Sequence, residues 1–137
     1  MMQSPQASMK LITPHIKLGE SLTNALEQLR SYAPPIEEED GSERCFRIDA
    51  TSFRLAIYPD AERVGSVWYD DPIGRENSER MAEKIKLYLE RYGRMDHWEL
   101  RMDNGWMHYW FNPTDRAAMV YGIHNDVLRF NTYAGDV

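Results

Sequence analysis

His97-Trp98-Glu99-Leu100-Arg101-Met102-Asp103-Asn104-Gly105-Trp106-Met107-His108-Tyr109-Trp110-Phe111-Asn112 is two alternating runs joined by Asn-Gly. That pattern predicts a β-hairpin, because the tight turn that matches strand twist needs residues that accept positive φ. With Asn104 and Gly105 as the loop, Met102 faces Met107, Leu100 faces Tyr109 and Trp98 faces Phe111, all on one inward side. The other side then pairs Asp103 with Trp106, Arg101 with His108 and Glu99 with Trp110. Asn112-Pro113-Thr114-Asp115 reverses the chain, and Ala117 to His124 runs back with Met119, Tyr121 and Ile123 inward. A second tight turn at Asn125-Asp126 would pair Ile123 with Leu128, Tyr121 with Phe130 and Met119 with Thr132, giving a C-terminal meander of four strands.

Upstream, Cys45 to Asp49, Phe53 to Tyr58 and Val64 to Tyr69 alternate as three further strands, with Pro59-Asp60-Ala61-Glu62 as a turn. Phe53, Leu55 and Ile57 point inward. Ile16 to Tyr32 carries Leu18, Leu22, Ala25, Leu26 and Leu29 at helical spacing, with Gly19-Glu20-Ser21 as its start and Pro34-Pro35 as its stop. Asn77 to Tyr92 is a second amphipathic helix with Met81, Ile85, Tyr88, Leu89 and Tyr92 on one stripe. Glu79, Arg80, Glu83, Lys84, Glu90 and Arg91 lie largely off that stripe, and Gly93 stands where a left-handed terminator is wanted. The fold class is α+β: a mostly antiparallel sheet of up to seven strands packed with two helices. One domain from residue 11 to 137 would follow a flexible leader over Met1 to Lys10.

The 137 residues are 42% hydrophobic and 28% charged, enough for one core. A net charge of -6 argues against nucleic-acid backbones, which need clustered Lys and Arg, and favours a basic partner. The lone Cys45 cannot close an internal disulfide and reads as a small buried apolar residue in a reducing compartment. With neither a secretory signal nor an apolar stretch long enough for a membrane span in view, the cytoplasm is expected.

Phosphate-binding glycine loops, paired cysteines, His-Glu-x-x-His and Gly-x-Ser-x-Gly are all missing, so no cofactor or metal is expected. His97, His108 and His124 fall on the polar side of the meander, but the pairing does not bring them together. The best acid–base constellation is His108 with Glu99 and Asp103, and it lacks a nucleophile. Glu99, Arg101, Trp106, His108, Trp110 and Tyr133 form a face richer in binding residue types than in catalytic ones. That face is either open for recognition or covered by the first helix.

Ile12-Thr13-Pro14, then Leu18-Gly19-Glu20-Ser21-Leu22 and a short helix ahead of a Trp- and Tyr-rich sheet, resembles the openings of small bacterial toxin-immunity proteins over about twenty residues. The resemblance implies a single-domain acidic cytoplasmic protein that binds and blocks a partner, and no site residue carries over from it. The expectation is thus an inhibitor that occludes a basic protein. Glu37, Glu38, Glu39 and Asp40, in an acidic loop, would steer the encounter together with Asp70 and Asp71; Tyr69, Trp106 and Trp110 would anchor it, beside Glu99, Arg101 and His108. The alternative is a small enzyme or small-molecule-binding domain with a pocket between sheet and helix lined by Trp98, Tyr109 and Tyr121. A third possibility is an oligomer formed through an edge strand near Tyr133.

Overall fold

The computed structural model describes residues 10–72, 76–122 and 127–132. Eight strands form one antiparallel sheet: β1 (Ile36–Asp40), β2 (Glu43–Asp49), β3 (Arg54–Asp60), β4 (Arg63–Asp70), β5 (Glu99–Asp103), β6 (Met107–Asn112), β7 (Ala117–Gly122) and β8 (Val127–Thr132). Their order is β1-β2-β3-β4-β8-β7-β6-β5, so two four-strand meanders join where β4 pairs with β8. Helices α1 (Leu22–Leu29) and α2 (Ser78–Arg91) share one core with the sheet. No helix among the described residues is long and apolar enough to cross a membrane.

Local chemistry sets both helix starts. Ser21 accepts from the Asn24 amide at 3.1 Å, and Asn77 accepts from the Arg80 amide at 2.8 Å. The first helix is shorter than its apolar spacing predicts: residues 16–20 lie outside it, with a turn at Leu18 and Gly19, and Gly19 and Glu20 exchange hydrogen bonds with Val64 of β4.

Three expectations are corrected. The acidic run is not a loop: Glu37, Glu38, Glu39 and Asp40 lie in β1, an edge strand paired with β2 and exposed along its whole length. Glu37 pairs with Arg44 at 2.8 Å and Glu38 with Arg47, so cross-strand charge pairs support a strand that has no apolar face. Second, β8 is internal, flanked by β4 and β7, so the edges are β1 and β5 and no edge runs through the C-terminal strand; Tyr133 itself lies outside the described residues, as does the Asn125-Asp126 turn. The β7–β8 register places Tyr121 opposite Leu128 and Met119 opposite Phe130, a two-residue shift that keeps the predicted inward faces. Third, Gly93 does not adopt positive φ. A side chain there would run into Asn112 and Asp115, so close approach is what requires glycine. Gly93→Ala should cost about 1–3 kcal/mol by overpacking, read from the denaturant midpoint.

The core centres on Phe130, whose ring lies 4.4 Å from Tyr92 and 6.2–6.4 Å from Tyr69, Tyr88 and Trp98. A buried polar chain straps the N-terminal segment over it. Arg91 donates to Thr13 Oγ1 at 3.0 Å, Thr13 donates to the Tyr88 hydroxyl at 2.7 Å, and Tyr88 donates to Asp71 Oδ2 at 2.5 Å. Lys84, expected off the stripe, is fully buried and donates to the Asp71 carbonyl at 2.6 Å. The Tyr69 and Tyr92 hydroxyls are 2.5 Å apart, and Tyr92 donates to the Ile16 carbonyl at 2.6 Å. Burial pushes all three phenols upward in pKa, which keeps them neutral donors.

Candidate functional site

The hairpin at the start of the second meander decides which side chains face outward. Asn104 accepts from the amides of both Trp106 (3.1 Å) and Met107 (2.9 Å), and Asp103 accepts from that of Gly105 (3.0 Å), so Trp106 joins the loop. Asp103 therefore pairs with His108 rather than with Trp106. A bulge between Leu100 and Met102 shifts the register again, leaving Leu100 opposite Trp110 and Glu99 opposite Phe111. A one-residue slip exchanges the faces of a strand. Trp110 and His108 consequently turn toward the helices, with Trp110 packed against the core, while Met107, Tyr109 and Phe111 turn away.

This redistributes the expected binding residues. Tyr69 is fully buried in the core and cannot anchor a partner. Asp71 is fully buried against Tyr88 and Lys84 and cannot steer one. Strand alternation places Asp70 on the opposite side, beside Arg54 on β3. Trp110 and His108 are withdrawn from the outer face, and Trp106 is 60% exposed at the hairpin tip. Glu99 and Arg101 stay at the β5 edge, 3.5 Å apart, with Arg101 over the Phe111 ring at 5.0 Å. His108 Nε2 lies 3.3 Å from Asp103 Oδ1, but Glu99 sits on the other face, so the acid–base constellation does not assemble. Trp98 and Tyr121 belong to the core while Tyr109 faces away, so these three cannot line one pocket.

His97 meets Asp115 instead of another histidine. Its Nδ1 is 2.8 Å from Asp115 Oδ2, which also accepts from the Asn112 side chain at 2.7 Å and the Arg94 amide at 3.1 Å. The hydrogen bonds from His97 and then Asn112 hold the Asp115 carboxyl below the usual carboxylate range. A group whose folded pKa is lowered contributes stability above its unfolded pKa of about 3.9, and that contribution is lost as pH falls through the folded value. Asp115→Ala should therefore lower the unfolding midpoint at pH 6 by more than at pH 2. His124 lies outside the described residues; among the described residues no cluster of His, Cys, Asp and Glu has the grouping to hold a metal ion.

What the fold does bring together is the sheet face opposite the helices, over which no described element lies. Cross-strand pairing places Glu38, Cys45, Arg47, Ala56, Tyr58, Trp68, Asp70, Arg129, Val120 and Tyr109 on it. The β1–β4 half carries Glu38, Arg47 and Asp70 around Cys45, Ala56 and Tyr58, the β8–β5 half carries Arg129 beside Val120 and Tyr109, and Trp68 stands at the seam with 37% of its surface exposed. A hollow of about 110 Å³ toward Arg47 and Arg54 and one of about 310 Å³ toward Met107, Tyr109 and Val120 flank its ring. Tyr58 donates to Asp40 Oδ2 at 2.8 Å, and burial followed by that hydrogen bond raises its pKa. Cys45 packs with Ala56 and Tyr58, and burial pushes its thiol up, away from reactivity.

No signal in the sequence separated Trp68 from its buried neighbours Val67 and Tyr69, since all three are apolar or aromatic; the alternation inward at 55 and 57 on β3 would have assigned it through the β3–β4 register. Set against known protein families, curated proteins and solved structures, the chain matches no family model, no curated protein and no solved structure.

Proposed function

We propose that the protein is a binding module that engages another protein on the sheet face opposite its helices and acts by occluding that partner's surface. The observation carrying this reading is Trp68: a large aromatic side chain, more than a third exposed, at the centre of an eight-strand face with hollows on both sides. A half-exposed Trp between complementary hollows has the character of an interface hot spot, because it presents large area at low rotamer cost. Exposed apolar area of this kind on a soluble domain marks an interaction site.

The partner's chemistry follows from charge. The net charge is -6, and Glu37 to Asp40 run along the edge that borders the face, which favours approach of a basic protein. Glu37 and Glu38 are already paired with Arg44 and Arg47, so the edge contributes to association rate more than to residence time. The inhibitor role suggested by the likeness to immunity proteins fits this arrangement, with occlusion as its mechanism.

The test compares wild type with Trp68→Ala and with Lys86→Ala, an exposed position on α2, as immobilised bait in the producing cell's extract at low and high salt. A stoichiometric basic protein held by wild type and Lys86→Ala, reduced at least tenfold by Trp68→Ala and weakened by salt, is the expected result. The same protein held equally by all three baits contradicts the reading.

A further inference from the structure

We infer that the larger hollow beside Trp68 is a binding site for a small apolar carboxylate, an aromatic or alkyl monoacid, with Arg129 as its anion-binding group. This inference does not depend on the face docking a protein.

Shape comes first. The hollow measures about 310 Å³, with apolar walls from Trp68, Met107, Tyr109, Val120 and Val127 and a polar side formed by Arg129 and Asn131. Small-molecule sites of about 300–1,000 Å³ have this makeup, mostly apolar with one or two polar groups that fix orientation. Two aromatic side chains in the wall, Trp68 and Tyr109, suit a planar ring or a chain laid against them.

Charge then selects the ligand. Arg129 is partly buried on β8, its guanidinium carbon 4.9 Å from the Tyr58 ring centroid. Among the described residues its side chain makes a single hydrogen bond, from Nη2 to Ser66 Oγ at 3.3 Å, and its enclosed Nε has no acceptor. No carboxylate of the described residues lies within ion-pair distance of it, whereas Arg44 and Arg47 each hold two and Arg101 holds one. A guanidinium offers five N–H donors in a planar fork that matches a carboxylate. A partly desolvated cation with one hydroxyl partner, set in a hollow that is apolar apart from Asn131, is therefore the complement of a ligand that is apolar with a single negative charge. A cationic ligand would meet repulsion from Arg129. A phosphate would have to lose water from two charges against one arginine and apolar walls.

The experiment titrates 2-naphthoate, with the uncharged 2-naphthylmethanol as control, and follows the indole N–H resonances by NMR. The chain has four tryptophans, and Trp68→Phe assigns the resonance of interest. The acid should shift the Trp68 resonance saturably and bind at least tenfold more tightly than the alcohol. Arg129→Gln should reduce the acid to the level of the alcohol while leaving the alcohol unchanged, and Val120→Trp, which fills the hollow from the strand position opposite Arg129, should block both. Absence of a saturable shift, equal affinity for acid and alcohol, or an acid preference surviving Arg129→Gln would overturn the inference. Should Arg129→Gln not fold, undiminished binding of the acid to Val120→Trp would overturn it independently.

Discussion

Phe130→Ala should destabilise the fold by about 3–5 kcal/mol, the range for removing a large aromatic side chain from a packed core. Phe130 is fully buried at the point where β8 joins the two meanders, and its ring is within 6.4 Å of those of Tyr69, Tyr88, Tyr92 and Trp98. Those four neighbours come from β4, from α2 and its C-cap, and from the chain just before β5, and all four are held by side-chain hydrogen bonds. They cannot collapse into the space without breaking those bonds, so the cavity term is retained. Denaturant unfolding followed by tryptophan fluorescence measures the loss, and a cost below about 1.5 kcal/mol would mean that the aromatic cluster repacks freely.

The second large effect separates two adjacent carboxylates. Asp71→Ala should cost about 2–4 kcal/mol, because it removes the acceptor for the Tyr88 hydroxyl and leaves a buried donor beside a buried ammonium. Asp70→Ala, half-exposed on the outer face, should cost less than about 1 kcal/mol. Denaturant midpoints of the two variants check the contrast directly. Near-equal losses would show that the polar chain from Arg91 through Thr13 and Tyr88 does not end on Asp71. The same contrast forbids charge reversal at position 71 as a probe of partner steering, since that variant would report on folding.

Much of the architecture was legible because it is written in local chemistry. Ser21 and Asn77 cap their helices as their residue types require, and the alternation of Phe53, Leu55 and Ile57 gives the buried face of β3. The α+β class and the meander follow from the same alternation. The edge strand β1 was not legible, because Glu-Glu-Glu-Asp has no alternation to read; it is a strand by virtue of Arg44 and Arg47 across from it. Nor was the face of the central hairpin. Asn-Gly signalled the turn correctly, but Asn104 captured the Trp106 and Met107 amides, a two-residue shift that keeps the faces, and the one-residue slip at the bulge beside Arg101 then turned β6 over relative to β5. Asp71, just past the end of β4, and Lys84 in α2 are buried against each other across 13 residues, beyond the range of any periodicity in either element. The site suffered most from these errors: of the aromatic residues expected at the surface, Tyr69 and Trp110 went inward, and Trp68 took the central place.

The most direct measurement of the central claim is photocrosslinking from defined positions in the cell that makes the protein. A benzophenone side chain at Trp68, on the sheet face opposite the helices, should give one dominant adduct with a basic protein, and the same group at Lys86, on the solvent side of α2, should give none. An adduct formed from position 86 and not from position 68 would contradict the account and assign recognition to the helical side.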